Sequence, residues 1–343
     1  MIKGVLRKAF DAIVGQKKPS GSELEPDHVV YAIGDVHGYS DALDTLLRDI
    51  KADIADRRKT KPHMTAEMVF LGDYVSRGPD SKGVLNILAQ ELESQGGDRI
   101  KRTFLAGNHD YLLYKMLTLE DPMNAVELAK SLLENGDLNT AASYGVFLQN
   151  EIAESGQQIR LRGAGLVVTL QSLDGYVRQM KAVIPNEHIN VLKRMKISYH
   201  TPDAPEFFFC HAGVDWTKPY DSQEKYVLLG IGNQHQQQIS RQFALQTKGA
   251  RDIIVVHGHT PRSGVEFERN PSSDIGGRIS TDTGIFTKDG KLSCGVLGNG
   301  CLLDVIQTKT QDLPYDRKKI PIAQDYESRA PTNSSYPLDA APK

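Results

Sequence analysis

Short apolar runs that end close to a glycine recur along the chain. Runs of this length, bounded in this way, are typical of buried β-strands. They lie at 29–33, 68–71, 103–105, 207–209 and 253–256. The pattern therefore predicts five strands of a buried core, spread over more than 200 residues of the sequence.

Between the first three runs, apolar residues recur at intervals of three and four, which predicts helices. We expect Ser40 or Asp41 to cap the first helix, and Pro79 and Asp80 to begin the second. A third helix is predicted at 111–117. This alternation of strands and helices predicts right-handed crossovers and a largely parallel first sheet.

The rest of the core has a different pattern. Residues 121–200 are expected to form a helical, polar cap insertion over the site, with a short strand at 166–170. Short β-runs dominate the C-terminal part, where the Asn299-Gly300 dipeptide is a strong hairpin signal. The predicted fold class is α/β, with two mixed sheets packed face to face as a β-sandwich and helices on the outside.

Both ends of the chain are set apart from this core. Residues 1–18 place apolar side chains at helical spacing among lysines and arginines, which predicts an amphipathic helix. We favour packing of this helix on its own domain, with a membrane surface or a partner protein as the alternative. A linker completes the N-terminal segment 1–27, and the core domain is expected at 28–307. The polar residues 308–343 are predicted to be a flexible tail.

Composition and charge describe a chain that can bury a large core. It has 343 residues, of which 39% are hydrophobic. The formal net charge of −2 gives no electrostatic reason to expect nucleic acid or an anionic membrane as a partner. No apolar run approaches the roughly 18 residues of a membrane span, so stable membrane insertion is not expected. Because Cys210, Cys294 and Cys301 have no CxxC spacing, we expect no disulfides and a cytoplasmic location.

Polar residues with metal-binding chemistry follow each of the five runs. They occur in the motifs GDVHG (34–38), GDYVSRG (72–78), GNHD (107–110), CHAG (210–213) and VHGHT (256–260). Motifs at strand ends are expected to meet at one edge of the sheets, with glycine allowing sharp turns. The candidate metal ligands are Asp35, His37, Asp73, Asn108, His211 and His259. Such a mixture of carboxylates, amide and imidazoles suits Mn, Fe or Zn better than Ca or Mg alone. Two such ions, about 3.5–4 Å apart, commonly serve the hydrolysis of phosphate esters.

In this order, the motifs resemble those of the calcineurin-like metallophosphoesterases, and within them the phosphoprotein phosphatase branch. The pattern of that branch is GDxHG, GDxxDRG, GNHE, HGG or HAG, and finally GH. The resemblance spans residues 29–297, and phrases similar to those of bacterial members occur at 135–145, 184–188 and 282–284. It implies a metal-dependent phosphoesterase that binds two divalent metal ions. Manganese is the expected metal.

The resemblance also implies a role for each motif residue. The first ion is expected among Asp35, His37, Asp73 and His259, and the second among Asp73, Asn108 and His211. His109 would be the general acid that protonates the leaving oxygen, and Arg77 would bind the substrate phosphate. A water activated by the two ions would attack phosphorus in line.

The resemblance leaves three functions open. Phosphoserine and phosphothreonine on proteins are the expected substrates. The alternative is symmetrical hydrolysis of diadenosine tetraphosphate, since bacterial enzymes of this branch with that activity share the motifs. The two reactions differ in their leaving group, because an alcohol needs protonation whereas a nucleoside diphosphate leaves readily. A third reading is a non-catalytic scaffold that kept the fold, and the intact ligand set argues against it.

The chain departs from the branch pattern at two positions that affect chemistry. Ser76 stands where the pattern has an aspartate thought to hold the acid histidine, which leaves the pKa and orientation of His109 open. Asp110, the last residue of GNHD, could compensate and is a further catalytic candidate. His257 is either an additional ligand of the second ion or a buried histidine at a strand end. The remaining histidines are expected to be surface or packing residues: His28, His63, His188, His200 and His235.

Overall fold

The computed structural model describes most of the predicted core. It describes residues 27–309 with the exception of 96, 150–157, 202–206, 232–252 and 270–275. The predicted N-terminal helix, its linker, nearly all of the predicted tail and His235 therefore lie outside the described residues.

The first sheet has five strands in the order β12-β11-β1-β2-β3. Strands β1 (His28–Ile33), β2 (Thr65–Phe70) and β3 (Ile100–Phe104) run parallel to one another. Strand β11 (Lys291–Gly298) pairs antiparallel with β1, and β12 (Cys301–Lys309) pairs antiparallel with β11. The alternation of strands and helices thus predicted the parallel half correctly, and the C-terminal hairpin makes the sheet mixed.

The turn between β11 and β12 is the predicted Asn-Gly hairpin. Asn299 has a φ of 50° and Gly300 a φ of 67°, the pair of positive values that a two-residue turn of this type requires. Strand β12 continues to Lys309, so Thr308 and Lys309, the first two residues of the predicted tail, belong to the sheet.

The three helices predicted between and after the first three strands are present, and the third begins at Asn108, three residues before its predicted start. Those in the described part of the chain are α1 (Ser40–Thr60), α2 (Ser81–Glu93), α3 (Asn108–Thr118), α4 (Pro122–Glu134), α5 (Leu138–Ser143), α6 (Leu170–Val183), α7 (Asn186–Arg194) and α8 (Lys225–Leu229), together with a 3₁₀ turn at Tyr220–Ser222. Helices α1 and α2 form the crossovers from β1 to β2 and from β2 to β3. Their apolar residues join one large buried cluster with the first sheet.

One predicted helix cap is confirmed and the other is wrong. The carboxylate of Asp80 accepts the backbone N–H of Gly83 at 2.8 Å and caps α2, as predicted. At α1, Tyr39 occupies the N-cap position, without a side-chain hydrogen bond that caps the helix, in place of Ser40 or Asp41. The hydroxyl of Ser40 instead donates to Asp80 at 2.7 Å, because the start of α2 lies against it.

The second sheet packs against the first, which confirms the predicted sandwich of two mixed sheets. Its order is β6-β7-β8-β10-β9. The strands are β6 (Ser198–His200), β7 (Phe207–Cys210), β8 (Ile254–His257), β9 (Glu266–Arg269) and β10 (Gly277–Ser280). Strands β7, β8 and β10 are parallel neighbours, and β6 and β9 pair antiparallel at the two edges.

Strand β1 shows why the core strands are continuous apolar runs. Val29, Tyr31 and Ile33 pack in the cluster that includes the helices, whereas Val30 and Ala32 pack in the cluster between the two sheets. Both faces of the strand are therefore buried, and no polar position alternates with the apolar ones.

The described part of segment 121–200, which excludes 150–157, contains four helices, α4 to α7, a two-stranded hairpin of β4 (Gln158–Leu161) and β5 (Leu166–Thr169), and strand β6 at its end. Strand β5 lies where the short strand is predicted. Helix α4 packs on α3, and α7 packs on α2 and α3. The turn between α4 and α5 reaches the second motif, because Asp137 in this turn accepts the hydroxyl of Ser76.

Cys210, Cys294 and Cys301 are free thiols, and the first two are buried. Burial raises the pKa of Cys210 to about 12, as expected for a small core residue.

Within the described ranges, none of the helices combines the length and the apolar character that crossing a bilayer requires.

Candidate metal centre

The five polar motifs meet at the carboxyl ends of the strands, where the two sheets approach each other. Nδ1 of His211, which follows β7, donates to the backbone carbonyl of Leu71, which follows β2, at 2.8 Å. Three candidate ligands, His37, Asp73 and His259, have positive φ values of 46°, 52° and 69°. Such conformations are unfavourable for residues with a Cβ, and they concentrate at functional sites.

Asp73 lies at the centre of the cluster. Its Oδ2 is 3.4 Å from Nε2 of His211, 3.6 Å from Nε2 of His37 and 4.0 Å from Nε2 of His109. Its Oδ1 accepts the backbone N–H of His109 at 3.1 Å. All four side chains are buried. One carboxylate oxygen thus faces three imidazoles in a site from which water is largely excluded.

The candidate ligands form two groups that share Asp73. The first group is Asp35, His37 and Asp73, and the second is Asp73, His211 and His259. Within each group, one ligand atom from every residue lies within 4.8 Å of the others. A carboxylate shared between two such groups is what a pair of closely spaced metal ions requires.

Asn108 lies beside the second group. Its Oδ1 is 3.2 Å from Nε2 of His211 and 3.2 Å from Nδ1 of His259, and these two ring nitrogens are 3.1 Å apart. The backbone N–H of His259 donates to Asp35 at 3.1 Å, while its imidazole faces His211 and Asn108. The placement of His259 around the first ion, which the resemblance implied, stays a prediction.

Two glycines of the motifs allow the carboxylates to approach the backbone. A Cβ at Gly258 would lie 2.0 Å from Oδ1 of Asp35, and a Cβ at Gly107 would lie 2.0 Å from Oδ1 of Asp73. Any side chain at either position would displace a candidate ligand. The glycines next to the ligands are therefore required by close packing as well as by the turn.

Unpartnered buried atoms indicate that the side chains fit metal ions. Nε2 of His37, Nδ1 of His109, Nε2 of His257 and Oδ2 of Asp282 have no hydrogen-bond partner among the described residues. The other ring nitrogen of His37 donates to the carbonyl of Val75 at 3.0 Å, a bond that orients a metal-binding histidine. A buried polar atom without a partner is costly, and coordination of a cation by the free ring nitrogen of His37 would remove that cost. The residues present therefore fit a site for divalent ions.

His257 shares this arrangement, because its Nδ1 donates to the carbonyl of Gly258 at 3.0 Å while its Nε2 is free. Burial lowers its pKa to about 4, so the imidazole is neutral at physiological pH, as a ligand must be. A role as an extra ligand and a role as a packing residue are both compatible with this geometry.

Charges at the site move the pKa values of its residues in opposite directions. Burial opposes ionisation of Asp73, but the surrounding imidazoles hold its pKa well below the usual range. Burial also opposes protonation of His211, but the Asp73 carboxylate raises its pKa to about 10. Burial and the neighbouring Asp282 raise the pKa of Asp35. The charged forms of Asp73 and His211 therefore stabilise each other in this buried site.

Arg77 lies beside the ligands, with its guanidinium stacked on an aromatic ring. The guanidinium carbon is 4.2 Å from the centroid of the Phe286 ring, which meets the ring of His37 edge-on at 5.1 Å. Arg77 is partly exposed. Its fork of N–H donors suits a phosphate that enters from solvent.

Ser76 makes its hydrogen bonds away from His109. The hydroxyl of Ser76 donates to Oδ1 of Asp137 at 2.8 Å. Nδ1 of His109 has no partner among the described residues. Burial, together with the charges of Arg77 and His211, lowers the pKa of His109 to about 4, although Asp73 acts in the opposite direction. The imidazole is therefore mostly neutral at neutral pH.

Asp110 does not take over the missing support. Its Oδ2 accepts the backbone N–H groups of Asp73 at 2.7 Å and Gly107 at 2.9 Å, and its Oδ1 accepts that of Tyr74 at 3.0 Å. Burial raises its pKa to about 7. The carboxyl group of Asp110 holds the loop that carries Asp73, and its catalytic role stays a prediction.

Three residues at this site were not among the sequence candidates. Asp137 and Asp282 lie inside the phrases at 135–145 and 282–284. The acidic residues of these phrases are the sequence feature from which the two could have been identified. Both are buried, and Oδ1 of Asp282 accepts the backbone N–H of Gly284 at 2.8 Å. Phe286, which supports Arg77, carries no sequence signal that separates it from a core aromatic residue.

We expect Asp137→Asn to stabilise the fold at neutral pH. Burial raises the pKa of Asp137 from 3.8 to about 6, so the folded protein binds this proton more tightly than the unfolded chain. The stability contributed by that proton is fully present below the unfolded pKa of 3.8 and is lost as the pH rises through about 6. Asparagine does not ionise and still accepts from Ser76, so the free energy of unfolding at pH 7.5 should rise by about 1–3 kcal/mol.

Thermal or urea unfolding of the two proteins between pH 4 and pH 7.5 measures this effect. The difference should shrink as the pH is lowered, because Asp137 is then protonated in the folded wild-type protein. A difference that does not change with pH would contradict the buried, protonatable carboxyl group.

Residues 28–282 match the protein family described as calcineurin-like phosphoesterase. No curated protein matches the chain significantly. Among solved structures, a candidate diadenosine tetraphosphatase is 19% identical, with a TM-score of 0.46, over 82% of this chain and 92% of that one. A protein serine/threonine phosphatase from Saccharomyces cerevisiae is 11% identical, with a TM-score of 0.44, over 84% of this chain and 82% of that one. A mutant cold-active protein tyrosine phosphatase is 16% identical, with a TM-score of 0.39, over 85% of this chain and 82% of that one.

Proposed function

Because this chain belongs to the calcineurin-like phosphoesterases, we propose that it hydrolyses phosphomonoesters, with phosphoserine and phosphothreonine on proteins as its substrates. The observation that best supports this proposal is the pair of ligand groups that share Asp73, with the Arg77 guanidinium beside them. Two cation positions and an arginine fork match the charge of a phosphoryl group. Arg77, Asn108 and His259 are partly exposed, which leaves the site open to a phosphoryl group carried by a larger molecule.

Two divalent metal ions are part of this proposal. The residues that would hold them are Asp35, His37, Asp73, Asn108, His211 and His259, with His257 as a further candidate. The mixed set of carboxylate, amide and imidazole ligands favours manganese, with iron or zinc as alternatives. When bound, the ions supply Lewis-acid chemistry that activates water and neutralises charge on the phosphoryl oxygens.

The remaining chemistry is assigned to two residues of the chain. Arg77 is proposed to bind and orient the phosphoryl oxygens through its N–H fork. His109 is proposed to give a proton to the leaving oxygen from Nε2, the ring nitrogen that faces Asp73 at 4.0 Å. Its edge-on contact with the ring of His37, at 5.2 Å between centroids, holds the imidazole next to the ligands.

Symmetrical cleavage of diadenosine tetraphosphate is the second candidate, and the state of His109 favours it. The pKa of His109 is lowered to about 4 by burial, and its Nδ1 has no partner among the described residues. A histidine in this state gives little help to an alkoxide leaving group at neutral pH. A nucleoside diphosphate leaves without that help, so this substrate suits the site as it stands.

Assays of the manganese-loaded full chain on a phosphopeptide and on diadenosine tetraphosphate, side by side, test the proposal. The first candidate predicts a higher kcat/KM for release of phosphate from the phosphopeptide. A higher kcat/KM for release of ADP from the dinucleotide would establish the second candidate. Turnover of neither substrate, in a protein that binds two metal ions per chain, would support the scaffold alternative.

A further inference from the structure

The loop that carries Arg77 is held in an unfavourable backbone conformation. Ser76 has a φ of 70° and Arg77 a φ of 66°, so two successive residues with a Cβ are left-handed. Such residues keep this conformation only where their surroundings stabilise it. The position of Arg77 therefore depends on the hydrogen bonds that hold Ser76 and Arg77 in this conformation.

Four hydrogen bonds connect the dipeptide to one short segment about 60 residues away in sequence, which we name the 136–140 clamp. The backbone N–H of Arg77 donates to the carbonyl of Gly136 at 2.9 Å. Nδ2 of Asn139 donates to the carbonyl of Arg77 at 2.6 Å. At Ser76, the backbone N–H donates to Oγ1 of Thr140 at 2.9 Å, and the hydroxyl donates to Asp137. Both the N–H and the carbonyl of Arg77 are thus bonded to the clamp.

Asp137 anchors the clamp from within the protein. Its side chain is fully buried, and its Oδ2 accepts the hydroxyl of Tyr176, on α6, at 3.3 Å. Among the described residues, the groups that act on the pKa of Asp137 besides burial are the hydrogen bonds from Ser76, Thr140 and Tyr176, and none of these groups is a cation. A buried carboxyl group held by hydroxyls alone is costly to keep. Asp137 bonds Ser76, the residue directly before Arg77. A function in placing Arg77 would explain why this energetically costly group is present.

We propose that Asp137 and Asn139 are positioning residues for the phosphate-binding arginine. Neither residue is assigned contact with substrate or metal: Asn139 acts through the backbone carbonyl of Arg77, and Asp137 acts through the side-chain hydroxyl of Ser76. This inference rests on the proposed role of Arg77 in binding phosphate. It assigns a function to the phrase at 135–145, which the metal centre does not use.

A double-mutant cycle between the clamp and Arg77 tests the proposal. In the manganese-loaded full chain, Asn139→Ala should raise the KM for p-nitrophenyl phosphate and the inhibition constant of inorganic phosphate by about 2- to 10-fold, the usual value of one hydrogen bond. In an Arg77→Ala background, the same substitution should change both constants by less than about 2-fold, because there is no guanidinium left to position. Metal content should stay at that of the wild-type protein throughout.

Two matched controls separate positioning from general destabilisation. Asn135, the C-cap residue of α4, also donates its Nδ2 to a backbone carbonyl, that of Ser131 in the same helix at 2.8 Å, so Asn135→Ala should leave both constants unchanged. Asp137→Ala should act like Asn139→Ala, whereas Asp137→Asn, which keeps an acceptor for Ser76, should rescue phosphate affinity. If Asp137→Ala does not fold, the Asn139 and Asn135 pair decides the question alone.

The outcomes distinguish this inference from the function on which it rests. If Arg77→Ala leaves the inhibition constant of phosphate unchanged, the proposed role of Arg77 is wrong. If Arg77→Ala weakens phosphate binding but Asn139→Ala acts equally in both backgrounds, Arg77 keeps its role and the positioning inference is wrong. Non-additive effects, with the Asn135 control silent, would support both.

Discussion

Asp73→Asn should leave the protein with clearly fewer than two metal ions per chain and reduce turnover by more than roughly 100-fold, since even the outer partners of metal ligands are worth 10- to 100-fold. The reason is geometric. Oδ2 of Asp73 is within 3.6 Å of ring nitrogens from both ligand groups, His37 in the first and His211 in the second. An amide supplies one neutral oxygen where two cations would share a negative charge. Elemental analysis of the dialysed variant measures the loss of metal directly.

The same substitution at Asp53 is a suitable control. Asp53 accepts the hydroxyl of Tyr31 at 2.8 Å and the guanidinium N–H of Arg57 at 2.7 Å, on helix α1. Asp53→Asn should keep both ions and near wild-type turnover. An Asp73→Asn protein with two tightly bound ions and full activity would remove Asp73 from the centre of the site and overturn the ligand assignment.

The strands and most of the motif residues were predictable because each depends on local sequence. Strand β1 is buried on both faces, so its apolar run needs no knowledge of its neighbours. Asp73 and Asn108 follow β2 and β3 within a few residues, and the ends of parallel strands meet at one edge. Local pattern and the rules of sheet topology were therefore enough to bring these residues together.

Contacts made by the insertion were not predictable in this way. The bond between Ser76 and Asp137 joins residues 61 apart, and it depends on how α4 packs on α3 and how α5 packs on α2. The predicted cap of α1 was wrong for a similar reason, because the hydroxyl of Ser40 donates to Asp80, a residue distant in sequence. Periodicity predicts which face of an element is buried, but it does not identify the polar partner that meets a given side chain.

The contact with Asp137 also changes the meaning of the departure at Ser76. The branch pattern has a carboxylate at this position, and in this chain a carboxylate there would face the buried Asp137, whose Oδ1 is 2.8 Å from the present hydroxyl. Two carboxyl groups at such a distance cannot both ionise without a large pKa shift. Ser76 and Asp137 are therefore best understood as a matched pair, and any change at one of them should be tested with the other.

We expect His109→Gln to keep both metal ions and, at the acid end of the pH range in which both ions stay bound, to lose about 10²- to 10⁴-fold in turnover on an alkyl phosphate, the usual range for a lost general acid. Neither of the two ligand groups around Asp73 includes His109, so its removal should not disturb the ions. On an aryl phosphate, whose leaving group is acidic, the loss should be much smaller. Metal analysis and parallel assays on the two esters separate binding from proton transfer.

His188→Gln is the matched control for this prediction. His188 is equally buried, but its ring nitrogens bond the hydroxyl of Tyr144 at 2.7 Å and the amide oxygen of Asn86 at 2.8 Å, as fits the packing role predicted for it. Its substitution should lower stability and leave the ratio of aryl to alkyl turnover unchanged.

Comparing turnover on the alkyl and the aryl ester at several pH values also measures how much catalysis depends on His109. Burial and the charge of Arg77 keep the pKa of His109 low, so the protonated form that an alkoxide needs is already scarce at neutral pH. The advantage of wild type over His109→Gln on the alkyl ester should therefore be largest at the acid end of the range in which both metal ions stay bound, and it should decline as the pH rises. Equal losses on both esters at every pH would mean that His109 acts on the phosphoryl group and not on the leaving oxygen.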